Sequence, residues 1–197
     1  MGLIDRLDDV RKRWNVLDHP FYQCWERGEL TRDDLAFYAG EYRHAVVALA
    51  HTAAAAGSAE HAAEERAHVD LWDDFAAALD APLDREPMSE TKECAESWTA
   101  AAPLEAAAVM YVVESSQPAI SETKLAGLVE HYGFAPESPA TAYFSIHAEV
   151  DHEHAAESRE VLETKASAAD TDRLVAAAEA ALEGNWRLLD GVEATRA

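Results

Sequence analysis

No stretch of this chain is apolar over the roughly 20 residues that a membrane-spanning helix needs. Glu105 and Glu114 interrupt the best candidate. Cysteine is nearly missing. Cys24 and Cys94 stand far apart without a CxxC, which points to free thiols in a cytoplasmic protein. Glycine (8) and proline (7) are few in 197 residues, and no sustained alternation of strand type occurs. Positive charge is scarce too. Lys+Arg total 16 against 38 Asp+Glu, a net charge of −22, and the only lysines are Lys12, Lys92, Lys124 and Lys165. A surface this acidic repels nucleic acid and anionic membranes and attracts cations. The acidity is spread along the chain rather than gathered in a tail, as on a halophilic surface that holds water and cations. The opening MGLIDRLDDVRKRW has no apolar h-region, so it is no secretory signal. Arg6 stands where a myristoylation motif requires Ser or Thr.

What is present is alanine and helical periodicity. Apolar positions recur at helical spacing, so the expected fold class is all-α: one domain over 1–197, a helical bundle of about seven to eight helices. Thr31-Arg-Asp-Asp34 is an N-cap with an acidic first turn, opening a long helix that Gly57 ends. Ser58 caps the next, about 59–79. Further helices are expected at about 89–99, 104–117, 119–132, 139–166 and 170–190.

Three places carry ligand-type residues. On a continuous helix His147, Asp151 and His154, at i, i+4 and i+7, share one face, while Glu149 and His152 point away. Two imidazoles and a carboxylate make a metal-ligand set; a solvated acidic helix produces the same spacing by chance. On the earlier helix, His61, Glu64, Glu65 and His68 also share a face. Glu65-x-x-His68 has the carboxylate-x-x-His spacing of carboxylate-bridged di-iron bundles, Glu64 serves geometrically as well, and Glu60 and Arg66 show that this helix also has a wet side. Glu114 follows the nearly all-apolar run 106–113. There it is either bound to a cation or facing the wet end near Pro118. Oxygen and nitrogen donors without thiolate suit iron or manganese better than structural zinc.

Four ordered segments carry a resemblance. They are His19-Pro-Phe-Tyr-Gln-Cys-Trp-Glu-Arg-Gly-Glu-Leu30, His68-Val-Asp-Leu-Trp72, Tyr111 through Leu128 continuing to Tyr132-Gly-Phe134, and Tyr143 through His154. With them the chain resembles the heme-oxygenase-like di-iron oxygenases. It is most similar to the branch of the chlamydial protein associating with death domains, and more distantly to TenA and PqqC proteins. The resemblance implies His68, Glu114, His147, Asp151 and His154 as metal ligands. The segment before His68 is shorter than the family pattern, so Glu64, Glu65 and His61 stay open for the remaining ligand. It further implies two iron ions, or iron and manganese, and O₂ as co-substrate. The chemistry implied is an oxidoreductase that acts on a small aromatic substrate or makes para-aminobenzoate from its own Tyr22, with Lys124 as amino donor. Tyr38, Tyr42 and Tyr111 would accompany Tyr22 near the pocket. In a straight helix Lys124 lies about 15 Å beyond Glu114, so it reaches the centre only if the chain bends, and Pro118 provides the break.

Rival readings are a metal-free TenA- or PqqC-like enzyme, a small-molecule binding protein without turnover, and an interaction module. TenA-type hydrolysis wants a cysteine nucleophile, and none occurs around Val112-Val-Glu-Ser115. A homodimer is compatible with all of these readings. Self-repulsion at −22 is screened as salt rises, so the melting temperature should climb from millimolar to molar KCl. A thermal denaturation series that stays flat or falls would contradict this.

Overall fold

The computed structural model describes residues 2–196, and among them the regular structure is helical throughout. The N-terminal elements are α1 (Leu3–Arg13), a 3₁₀ turn (Val16–Asp18) and α2 (Pro20–Glu26). Two long helices follow, α3 (Arg32–Ala56) and α4 (Ala59–Ala78). Thr31 begins α3 with a reciprocal capping box: its hydroxyl accepts from the Asp34 N–H, and its own N–H donates to the Asp34 carboxylate. Gly57, at φ +108°, ends it in the left-handed region, and Ser58 at once accepts from the His61 N–H to start α4. The chain thus reverses within two residues, and α3 and α4 pack side by side.

Then come α5 (Ser89–Trp98), α6 (Pro103–Glu114), α7 (Gln117–Glu130), α8 (Pro139–Glu149), α9 (Asp151–Lys165) and α10 (Thr171–Ala194). Every residue of α6 from Ala106 to Glu114 is buried, so this helix is apolar on all sides and lies at the centre, against α3, α9 and α10. Its small alanines let those neighbours approach. The chain breaks between Glu114 and Gln117, with Pro118 in the first turn of α7, where its missing N–H has no helical partner to lose. Among the described residues no helix is long and apolar enough to cross a membrane. Cys24 and Cys94 are both free.

The helix expected over about 139–166 is not continuous. It divides at Val150 into α8 and α9. There the Val150 carbonyl accepts from both the Glu153 and the His154 N–H groups, a 3₁₀-like tightening that replaces the regular ladder. The division also accounts for part of the difference between the ten α-helices described and the seven or eight expected.

An aromatic core fills the bundle beside α6. Phe21, Tyr22, Trp25, Tyr38, Tyr42, Trp72, Phe75 and Phe144 are each 2% exposed or less. The indole N–H groups stay satisfied: Trp25 donates to the Lys124 carbonyl, Trp72 to that of Ala39 and Trp98 to that of Ala181. Gly127 lets α7 lie on Trp25; a Cβ there would stand 2.7 Å from the indole Cδ1 and 3.1 Å from the Trp25 carbonyl oxygen. Alanine is the better helix former by about 1 kcal/mol, but overpacking costs about 1–3 kcal/mol. Gly127→Ala should therefore lower the urea midpoint, and an unchanged or raised midpoint would show that the contact has slack.

Candidate metal centre

Helix α4 presents His61, Glu65 and His68, at i, i+4 and i+7, on one buried face. Opposite them stand Glu114 from the end of α6, His147 from α8, and Asp151 and His154 from α9, all buried. The break at Val150 sends the two late histidines to different sides of Glu65. His154 stacks on His61 at 4.1 Å between ring centroids, and His147 meets His68 at 4.3 Å. Two donor groups result. His61, Glu65, Glu114 and His154 form one, and Glu65, His68 and His147 the other, so Glu65 belongs to both.

The hydrogen bonding leaves this interior unfinished. Six buried polar atoms here lack a hydrogen-bond partner: His61 Nε2, Glu114 Oε1, His147 Nε2, both Asp151 carboxylate oxygens and His154 Nδ1. Such orphans are rare in folded proteins. His61 Nε2 and Glu114 Oε1 approach to 2.7 Å without hydrogen-bond geometry, as two donors aimed at a common point would. The other nitrogen of two rings is held from behind. His147 Nδ1 lies 2.7 Å from the Tyr143 carbonyl, which fixes the tautomer with Nε2 unprotonated, and His154 Nε2 lies 2.9 Å from Glu64. One ring nitrogen tied to an oxygen and the other left free is the arrangement of a metal-binding histidine. Nitrogen and oxygen donors of this kind fit iron or manganese.

The carboxylates differ in their surroundings. Burial pushes the Glu114 carboxyl well above the usual range, with the charges of Glu65 and Asp151 adding to it. Its place at the C-terminal end of α6, where the helix dipole is negative, disfavours the charge again. Burial would raise Glu65 as well, but the hydrogen bond from His68 and the charges of His68, His147 and His61 outweigh it and hold this carboxylate below its usual value. His154 rises to about 9, chiefly through Asp151. At 3.7 Å that contact is too long for a full hydrogen bond, so charge attraction is the physical cause.

Glu64 and Glu65 thus separate. Glu65 sits between the two donor groups, while Glu64 is half exposed and reaches the cluster only through His154. His61, left open by spacing, lies within the first group. Asp151 lies beside His154 but in neither group. Glu149 and His152 face solvent.

A second buried constellation lies along α2, α3 and α7. The Lys124 amine donates to the Tyr38 hydroxyl at 2.6 Å and stands 4.4 Å from the centre of the Tyr22 ring, and the Tyr22 and Tyr38 hydroxyls are 2.9 Å apart. Burial holds Lys124 well below its usual pKa, and it pushes the Tyr22 and Tyr38 phenols up. Burial thus disfavours the charged form of each group, which favours an amine with a free electron pair beside a protonated phenol. Ring contacts join this constellation to the donor cluster. Tyr143 stacks on His147 at 4.0 Å and meets Trp72 at 4.8 Å; Trp72 meets Tyr42 at 5.1 Å and Tyr38 at 5.9 Å; Tyr38 meets Tyr22 at 6.1 Å. Tyr111 takes no part, since its hydroxyl donates to Asp8 of α1. Nothing in the sequence alone marks Tyr143 and Trp72 as links. Spacing only places Tyr143, four residues before His147, on the same helical face.

A carboxyl whose pKa is higher in the folded than in the unfolded chain costs stability as pH rises above the unfolded value, here the usual 4.5. Without metal, Glu114→Gln should flatten that loss and unfold at higher urea than the parent at pH 8. Urea titrations after chelation at pH 5 and pH 8 decide it. Parallel profiles for parent and variant would show that Glu114 is not the strained group.

The sequence profile of the family described as iron-containing redox enzymes matches residues 41–186. The 4-aminobenzoate synthase of Chlamydia muridarum is 30% identical, over 96% of this chain and 89% of its own. That of Nitrosomonas europaea is 27% identical, over 95% and 89%. Among solved structures, a TenA homologue from Pseudomonas syringae pv. tomato superposes with a TM-score of 0.76 at 19% identity, over 98% of this chain and 91% of its own. A TenA homologue from P. horikoshii gives 0.73 at 15% identity, over 98% of both chains, and both likenesses speak for the fold alone. The chain belongs to the family of iron-containing redox enzymes.

Proposed function

We propose that this enzyme makes 4-aminobenzoate from its own Tyr22 with the Lys124 amine as nitrogen source, using O₂ at a two-metal centre of iron, or of iron and manganese. In this reading residues 1–197 act as one domain. His61, Glu65, Glu114 and His154 hold one ion, Glu65, His68 and His147 the other, and Asp151 lies close enough to join on loading. The observation that carries the reading is the Lys124 amine against the Tyr22 ring, buried and joined by ring contacts to the donor cluster. The relatives' activity, 4-aminobenzoate synthesis, agrees with it.

The carbon skeleton of the product fits. Tyrosine carries its hydroxyl para to a CH₂ carbon, and the product carries an amine para to a carboxyl: the Lys124 nitrogen replaces the ring oxygen and parts from Cε, the Tyr22 Cα–Cβ bond breaks, and Cβ is oxidised to the carboxyl with O₂ taking the electrons. When bound, the metal ions supply the activation of O₂, the electron acceptor. Tyr143, Trp72 and Tyr38 provide the path along which Tyr22 gives up electrons. The Tyr38 hydroxyl positions both partners, accepting from the amine and contacting the Tyr22 hydroxyl. Burial disfavours the ammonium and so favours the nucleophilic free amine, and it keeps water away from the oxidised ring.

Anaerobic loading with Fe(II), with and without Mn(II), followed by O₂ and mass spectrometry, tests the proposal. The expected result is about two metal ions per chain, a modified Tyr22 and at most about one aminobenzoate per chain. Tyr22→Phe should abolish product with metal content intact. Lys124→Arg should do the same, since a guanidinium stays protonated. Repeated turnover of a free aromatic compound with Tyr22 unchanged would reject the self-sacrificing reaction.

A further inference from the structure

The donor cluster is closed on most sides, but His61 lines two clefts at the surface, one with Lys165 on its wall and one walled by carboxylates. His61 and His154, 5% and 8% exposed, form the inner wall of a cleft of about 190 Å³. Glu60 and Glu64 of α4 and Glu153 and Glu157 of α9 line its outer part, and no lysine or arginine lines it. Behind this wall, on the side of the centre, His61 Nε2 and His154 Nδ1 face Glu114 and Asp151 and lack a hydrogen-bond partner. Glu64 stands between the two levels. Its side chain is 47% exposed, yet one carboxylate oxygen lies 2.9 Å from His154 Nε2.

We propose that this cleft is the loading mouth through which divalent metal ions enter the centre, and that Glu64 passes the ion from the outer carboxylates to the buried histidines. The proposal rests on the metal centre described above. Carboxylate oxygens are suitable first ligands for a hydrated divalent ion, and imidazoles add nitrogen donors that suit iron once it is inside. A cleft of 190 Å³ admits several waters at about 30 Å³ each, so the ion can arrive with part of its hydration shell. Four carboxylates from two helices repel one another across the opening, and a cation relieves that repulsion on the way in. The bond to Glu64 meanwhile keeps the inner nitrogen of His154 turned towards the centre. The overall charge of −22 attracts cations to every face, but this cleft leads from carboxylates to unpartnered imidazole nitrogens.

Stopped-flow loading with Co(II), whose visible bands report its ligands and which is not consumed by O₂, provides the test. The Glu153→Gln/Glu157→Gln pair should slow loading at low salt by at least about fivefold, as expected for a steered cation. Glu64→Gln keeps an oxygen for the His154 N–H but is a poor ligand, and it should slow loading by at least about fivefold at any salt. Glu96→Gln/Glu137→Gln removes the same charge from exposed positions elsewhere and should load within about twofold of the parent. Final cobalt content should be equal in all four proteins, which also shows that each has folded. If the cleft variants load as fast as that control, the mouth lies elsewhere and the proposal is overturned. A parent protein that binds no cobalt at all would instead overturn the metal centre itself.

Discussion

Charge that the protein cannot satisfy by itself is the constraint on which the rest of this structure depends. Glu65, Glu114 and Asp151 lie in the interior, and four imidazoles surround them with several inner nitrogens unpartnered. An ion removed from water costs several kcal/mol even after relaxation. Glu114 is disfavoured twice, by burial and by the negative end of α6. A divalent cation offsets both, because its charge is stronger than that of any single imidazolium and it takes donors from several directions. The surrounding apolar packing is what holds the cluster together without one: α6 is buried all round, and α3, α9 and α10 pack on it.

The two breaks in helical order follow from the same requirement. A continuous helix through 139–166 would carry His147 and His154 on one side, whereas the division at Val150 lets them face different histidines of α4. The break after Glu114 turns α7 back across the bundle, so that Lys124 lies among the rings of Tyr22, Tyr38 and Tyr42 instead of continuing away along the α6 axis. Both places give up regular hydrogen bonds, each of which contributes about 1 kcal/mol. The packing of the aromatic core is large enough to sustain that loss, at roughly 150–250 Å² buried per ring.

Lys124 illustrates how burial changes chemistry without a charged partner. Several rings stand near its amine, and a ring face attracts an ammonium by about 2 kcal/mol when desolvated. The cost of removing the charge from water works against that pull and lowers the pKa of the amine. The surface applies the opposite rule. Its carboxylates are solvated, and their mutual repulsion is screened by salt.

Much of this protein was legible in its sequence. Periodicity, caps and the scarcity of glycine and proline determined the helical class and most helix boundaries, because these depend on neighbours one or two turns away. Local spacing also drew attention to His61, Glu65, His68, His147, Asp151 and His154, and an apolar run to Glu114. Spacing could not separate Glu64 from Glu65, since both positions are compatible with His68 and only the packing of α9 shows which one is inside. It could not foresee the division at Val150, where the helical dihedrals give way for contacts made with a distant helix. Nor could it reveal the ring contacts from Tyr143 to Tyr22. Those depend on α2, α3, α4 and α8 meeting in one core, and a chain's local preferences carry no information about which side chains from remote helices come within 6 Å of one another.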